Sequence, residues 1–195
     1  MKRFIGLTGI AFAIAVCKLT VAQPVSIPMA QALIDSCFQV ADRAKAGQLT
    51  QWQEIQPCVE ALELELNERE RISVLTNMGL VQSYFGDFDA AQSSFDGALS
   101  LSNSYPDTYL NRGNLFYLQR NFEAAVQDYN EALRVASKSL DILYLNRGMA
   151  YQNLGEFGLA EADFRTALSV RPGWTLVLEK LETLELERNS GAVGR

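Results

Sequence analysis

The 195-residue chain contains no histidine. That absence removes serine–histidine–aspartate and cysteine–histidine catalysis, and with them the commonest metal ligand. A phosphate-cradling glycine loop is also missing, and the three cysteines, Cys17, Cys37 and Cys58, lack metal-binding spacing. Acidic side chains are plentiful, but Glu60, Glu63, Glu65, Glu68 and Glu70 read as the wet side of a helix. A carboxylate pair of glycosidase type is the one catalytic arrangement left open. The expectation is a protein with no enzymatic activity, no cofactor and no metal site.

Basic residues are scarce as well: 17 Lys and Arg stand against 23 Asp and Glu, a net charge of −6. Nucleic acid and anionic lipid both demand basic surface, so neither is expected as a partner. Long apolar runs are limited to Phe4–Val16, which is shorter than the roughly 20 residues needed to span a bilayer. Lys2 and Arg3 precede that run, and Thr20-Val21-Ala22 follows it before Gln23-Pro24. A basic start, a short apolar core and a small-residue cleavage site describe a secretory signal over 1–22, cut after Ala22. Stable membrane insertion is not expected. Acylation at Cys17 is the alternative, against which stands bulky Val16 where a lipoprotein signal carries a small residue. Cleavage takes away Lys2, Arg3 and Lys18 and no acid, leaving 14 basic and 23 acidic side chains and a net charge of −9.

What the chain does contain is one block written three times. Gly79, Phe88, Ala91, Phe95 and Ala98 recur as Gly113, Phe122, Ala125, Tyr129 and Ala132, then as Gly148, Phe157, Ala160, Phe164 and Ala167. A period of 34 to 35 residues holding two helix-length segments means stacked helical hairpins. The spacing predicts helices near 72–85, 88–101, 106–119, 122–136, 141–154 and 157–170. Gly79, Gly113 and Gly148 lie mid-helix, where glycine costs roughly 1 kcal/mol against alanine, a cost tolerated where backbones approach closely. Ala91, Ala125 and Ala160 are expected to face them, with Phe95, Tyr129 and Phe164 filling the space between repeats. Gly86-Asp87 and Gly155-Glu156 supply the helix–helix turns, and Arg120-Asn121 does so in the middle copy, where Asn tolerates a left-handed backbone.

The runs from Gly79 to Ala91, Gly113 to Ala125 and Gly148 to Ala160 resemble the tetratricopeptide repeat, and Pro172 stands where that family has its closing proline. Asn103 and Ser137 occupy that place in the other copies, and the second junction carries one extra residue near Lys138. The resemblance implies an all-α, right-handed solenoid of helical hairpins, with repeats at 72–105, 106–139 and 141–174 inside a region spanning 71–172. It also implies that the first helix of each pair lines a concave surface.

Asn77, Asn111 and Asn146 stand two residues before the repeat glycines, on those concave helices. Such a column resembles the asparagine ladder with which some family members hold an extended peptide. A carboxamide both donates and accepts, so it grips a peptide backbone whatever its side chains. Asn114 and Asn153 add amides, and Leu80, Tyr84, Leu110, Tyr117, Leu145 and Met149 are expected to form apolar pockets between them. Solvation of the concave face is the competing reading. The family's carboxylate clamp needs basic groove residues, and Thr76, Asp107, Ile142 and Asn146 stand there instead. The partner expected is therefore a protein or peptide bound in the groove.

Arg112 and Asp128, like Arg147 and Asp163, are sixteen residues apart, while the first repeat has Met78 and Ser94. Joint loss suggests a cross-hairpin ion pair; a place in the ligand groove is the alternative for both arginines. Residues 23–70 read as a further, degenerate hairpin: a helix from Ala30 to Ala46, a turn at Gly47-Gln48, and a second stretch to about Asn67, broken beside Pro57. An even cysteine pair in an exported chain suggests a Cys37–Cys58 staple, with buried free thiols as the alternative. At 173–189, Trp174, Val177, Leu178, Leu181 and Leu184 mark one face of a capping helix, with a dimerising helix as the other reading and a monomer or weak homodimer expected. Residues 190–195 read as a disordered tail. The role expected is a periplasmic scaffold or adaptor; a structural or oligomerising envelope element without a peptide ligand is the alternative.

Overall fold

A computed structural model describes residues 27–135 and 137–192. The expected signal segment, Cys17 and the last three residues of the expected tail lie outside them. The described chain is helical: α1 (Ile27–Lys45), a short 3-10 helix (Trp52–Ile55), α2 (Gln56–Leu62), α3 (Glu68–Tyr84), α4 (Phe88–Leu101), α5 (Pro106–Leu118), α6 (Phe122–Arg134), α7 (Leu140–Asn153), α8 (Phe157–Val170) and α9 (Thr175–Ala192). Pairs α3/α4, α5/α6 and α7/α8 form antiparallel hairpins that stack in order, with α1 and α2 on the first pair and α9 on the last. The architecture is an all-α solenoid. Among the described residues no helix is long and apolar enough to cross a membrane.

The nearest neighbours of the mid-helix glycines are aromatic rings. A β-carbon on Gly79, Gly113 or Gly148 would stand 2.8 Å from Phe95, 2.7 Å from Tyr129 or 2.7 Å from Phe164. Each ring comes from the second helix of the same hairpin and is almost fully buried there. Ala91, Ala125 and Ala160 are fully buried in the same hairpins, and at Gly148 the Ala160 carbonyl also comes close, at 3.3 Å.

Three boundaries depart from expectation for local reasons. The middle turn is left-handed at Arg120 (φ 62°), at the position of Gly86 (φ 80°) and Gly155 (φ 78°). Asn121 instead caps α6, its side chain accepting from the Ala124 amide at 3.2 Å. The second stretch of the first hairpin stops at Leu62, because Asn67 and Glu70 cap each other's backbone and restart the chain as α3. The acidic residues read as one wet face are therefore split between α2, a linker and the first turn of α3. Helix α9 runs on through Ala192, into the segment read as tail.

Cys37 on α1 and Cys58 on α2 are joined by a disulfide with their α-carbons 4.6 Å apart, and both are fully buried. Around them Ile34, Val40, Ala41 and Ala44 pack with Leu49, Ile55 and Ala61, and onto Val74 and Val81 of α3. At the far end, Val177 and Leu184 of α9 pack with Leu145, Ala160, Phe164 and Ala167, and Trp174 and Leu181 close over them. Leu178 is not on that face; it is exposed, as are Leu176 and Leu186.

Candidate functional site

Helices α1, α3, α5 and α7 enclose a cavity of about 530 Å3. Phe38 and Lys45 come from α1, and Ile72, Ser73, Thr76 and Asn77 from α3. Pro106, Asp107, Thr108, Leu110, Asn111 and Asn114 come from α5, and Ile142 from α7. A second cavity, about 320 Å3, shares Lys45, Asn111 and Asn114 with the first and continues past Leu80, Tyr84 and Leu118. The two form one trough floored by α5. A hydrogen bond of 2.8 Å between the buried hydroxyls of Thr76 and Thr108 ties α3 to α5 beneath it.

The asparagine column is not three equivalent groups. Asn77 is 8% exposed, on the helix that α1 packs against, and its Nδ2 is buried without a hydrogen-bond partner among the described residues. Asn111 is half-buried and borders both cavities. Asn146 donates to Asn114 Oδ1 at 2.8 Å, and the buried Tyr129 hydroxyl donates to the same oxygen at 2.9 Å. Burial holds the Tyr129 phenol well above its ordinary pKa, so it remains a donor. Asn114 is thus the junction of a fixed network across two repeats.

The remaining candidates divide. Tyr84 lines the second cavity with its ring while its hydroxyl donates to the Leu49 carbonyl at 3.0 Å. Leu110 contributes to the cavity wall though 8% exposed. Leu145 and Met149 are not pocket residues: they belong to the core that α9 covers, with Leu145 4% exposed. Asn153 and Tyr117 meet each other instead, Asn153 Nδ2 donating to the Tyr117 hydroxyl at 3.1 Å and to the Met149 carbonyl at 2.8 Å. Neither borders the trough. Leu145 packs instead with Val177 and Leu184 of the capping helix, a consequence that repeat spacing alone does not carry. Phe38 was missed altogether. Its signal is an apolar residue one position off the Ile34–Cys37–Ala41–Ala44 stripe of α1.

Both arginines are held within the solenoid. Arg112 gives Nε and Nη2 to the two oxygens of Asp128 at 2.8 Å each, and Nη1 to Asp96 of the preceding repeat at 2.6 Å. Arg147 forks onto Asp163 at 2.8 and 2.7 Å and reaches Asn130 at 2.6 Å. Tyr109 and Phe116 flank the first guanidinium, Tyr144 and Tyr151 the second. The Asp128 hydrogen bonds hold Arg112 far above its usual range, and burial pushes Asp128 upward against the fork's opposing pull. The third partner of each arginine lies at one repeat position, Asp96 and Asn130, so these residues join repeats as well as hairpins. Among the described residues no cluster of three or more His, Cys, Asp or Glu is placed to hold a metal.

The tetratricopeptide repeat family matches at residues 106–139 and again at 142–173. A curated relative, the DnaJ homolog subfamily C member 7 homolog of Schizosaccharomyces pombe, is 38% identical over 61 residues, covering 31% of this chain and 13% of that protein. The chain therefore spans only a small part of that relative's length. The first tetratricopeptide domain of Spaghetti (RPAP3), solved bound to the HSP90 peptide SRMEEVD, superposes with a TM-score of 0.59 at 20% identity, over 64% of this chain and 97% of that one. The crystal structure of MamA superposes at a TM-score of 0.64 and 15% identity, over 82% of both chains. Those two likenesses concern the fold. Residues 106–139 and 142–173 are thus tetratricopeptide repeats, set in an all-α solenoid of the same architecture as those structures.

Proposed function

We propose that this protein is an exported scaffold that holds an extended peptide, or an extended segment of a partner protein, in the trough between α1 and the concave helices. The observation that carries the reading is the trough itself, floored by Asn111 and Asn114 and bordered by the unpartnered amide of Asn77. A peptide backbone presents alternating donors and acceptors, which carboxamides match without regard to side chain. The likeness to a repeat domain solved with a bound peptide supports the same direction. Among the described residues the groove carries one cation, Lys45, and one acid, Asp107, which is not the basic set that would grip an acidic carboxy terminus. Export is supported by the signal-like start and by the Cys37–Cys58 pair, since disulfides persist in oxidising compartments. A periplasmic location is one oxidising compartment that fits the same reading.

The test is capture of an array of random ten-residue peptides by the chain from Gln23 onward. Asn111→Ala is expected to weaken capture about fivefold at unchanged melting temperature, the loss of one net hydrogen bond of about 1 kcal/mol. Absence of capture by the unaltered protein would overturn the reading. Non-reducing mass spectrometry of the exported protein should begin at Gln23 with Cys37 joined to Cys58; an acylated Cys17 would make it an anchored protein instead.

A further inference from the structure

We infer that Phe38 of the stapled hairpin and Ile142 of the third repeat form an apolar subsite that selects the peptide by one bulky uncharged side chain. The inference rests on the peptide-groove reading and names what the groove prefers. Phe38 is 41% exposed although Cys37 beside it is fully buried. Helix α1 docks through Ile34, Val40, Ala41 and Ala44, so Phe38 is not needed for that packing. Ile142 is likewise 41% exposed while its neighbour Leu143 is fully buried. These two exposed side chains, from helices more than a hundred residues apart in sequence, border the same cavity, and Ile72 and Leu110 border it too.

The charges in the cavity point to an uncharged occupant. Among the described residues, Lys45 and Asp107 are the only ionisable side chains on its wall besides the Tyr105 phenol, and Lys45 is paired with Asp42 at 3.2 Å. One cation and one acid on the same wall give neither sign of ligand charge a net attraction, and a charged side chain would still lose water on entering. An aliphatic or aromatic side chain gains by covering Phe38 and Ile142. Asn77 borders the same cavity, its Nδ2 lacking an acceptor. The last torsion of asparagine is soft, so a ligand carbonyl entering beside the apolar side chain can draw that NH2 outward and bond to it. The hairpin outside the repeats thereby sets specificity, and the disulfide next to Phe38 holds the wall in place.

The experiment uses the same random ten-residue peptide array with the unaltered chain from Gln23, Phe38→Ser and Ile142→Ser, with circular dichroism of each. Captured peptides are expected to be enriched in Leu, Ile and Phe, and each substitution should weaken their binding at least tenfold and remove the enrichment. The two variants lie on different helices, so misfolding of one leaves the other as the test. Capture with no apolar enrichment, or enrichment that survives both substitutions, overturns the subsite and leaves the groove reading standing. No capture at all overturns both. Light scattering that finds a dimer dissolved by Phe38→Ser would make the pair an interface between copies, and also overturns the inference.

Discussion

Ser94 on α4 donates its hydroxyl to Gln82 Oε1 on α3 at 2.7 Å, both side chains buried, where Asp128 stands in the second repeat and Asp163 in the third. Three positions change together. Arg112, Phe116 and Asp128, or Arg147, Tyr151 and Asp163, become Met78, Gln82 and Ser94. The stacking aromatic disappears with the guanidinium it flanked, and its replacement supplies the acceptor that the serine needs. One charged solution and one neutral solution thus join the two helices of a hairpin at the same place.

The neutral solution predicts how the charged one fails. Arg147→Met leaves Asp163, 5% exposed, without its fork, and should cost about 3 kcal/mol or more in denaturant unfolding. Adding Asp163→Ser and Tyr151→Gln rebuilds the first repeat's arrangement and should recover most of that loss. A triple variant as unstable as the single one would show that the fork is not the source of the cost.

The repeat frame was legible because glycine, aromatic and alanine recur at fixed offsets, and close ring-on-glycine contact leaves no other residue at those places. Helix α4 begins and ends where the spacing predicts, and α8 does too. The site was less legible. Asn77, Asn111 and Asn146 share one repeat position, yet their surroundings are set by different neighbours: α1 over the first and the Asn114–Tyr129 network at the third. Leu145 is apolar on a concave helix like Leu80, but α9 covers it. Periodicity records what is common to the repeats, and the ends of a solenoid are where that breaks down.

Arg120 offers a stabilising change. It holds φ of 62° at a turn where the other two hairpins have glycine. A left-handed conformation costs an ordinary residue roughly 1–2 kcal/mol, and its ring contact is a single guanidinium 5.7 Å over Phe122. Arg120→Gly should therefore raise stability by about 1 kcal/mol, read as a higher denaturant midpoint at unchanged slope. A fall would mean that the stacking outweighs the backbone cost.

The loop before the 3-10 helix should be acid-sensitive. Glu54 accepts from the Thr50 amide at 2.9 Å and the Gln51 amide at 3.1 Å, and pairs with Arg43 at 2.5 Å. These partners, the Thr50 amide foremost, hold its carboxyl below the ordinary value of 4.5. A depressed folded value means the contribution is fully present above 4.5 and fades as pH falls through the folded value. Amide exchange at Thr50 and Gln51 should accelerate in that acid range, and Glu54→Gln should remove the pH dependence. The neighbouring Leu49 carbonyl takes the Tyr84 hydroxyl, so loosening here should reach the second cavity first. Unchanged exchange down to pH 3 would dismiss the link.

Asn111 and Asn114 floor the trough one helical turn apart, and the structure separates what each does. Asn114 Oδ1 receives both the buried Tyr129 hydroxyl and the Asn146 amide. Asn114→Ala should therefore leave the Tyr129 hydroxyl buried without its acceptor, and lower stability by about 1–3 kcal/mol. Peptide capture should fall with it. Asn111→Ala should lower capture alone, since its side chain lines the trough rather than tying repeats together. The comparison needs unfolding curves and peptide capture on the same preparations. Equal loss of stability in both variants would mean that the whole amide floor is structural, and a drop in capture by Asn111→Ala would then carry no information about the ligand. Stability lost only in Asn114→Ala, with capture lost in both, is the expected pattern, because one amide anchors the floor and its neighbour is left free to face a ligand.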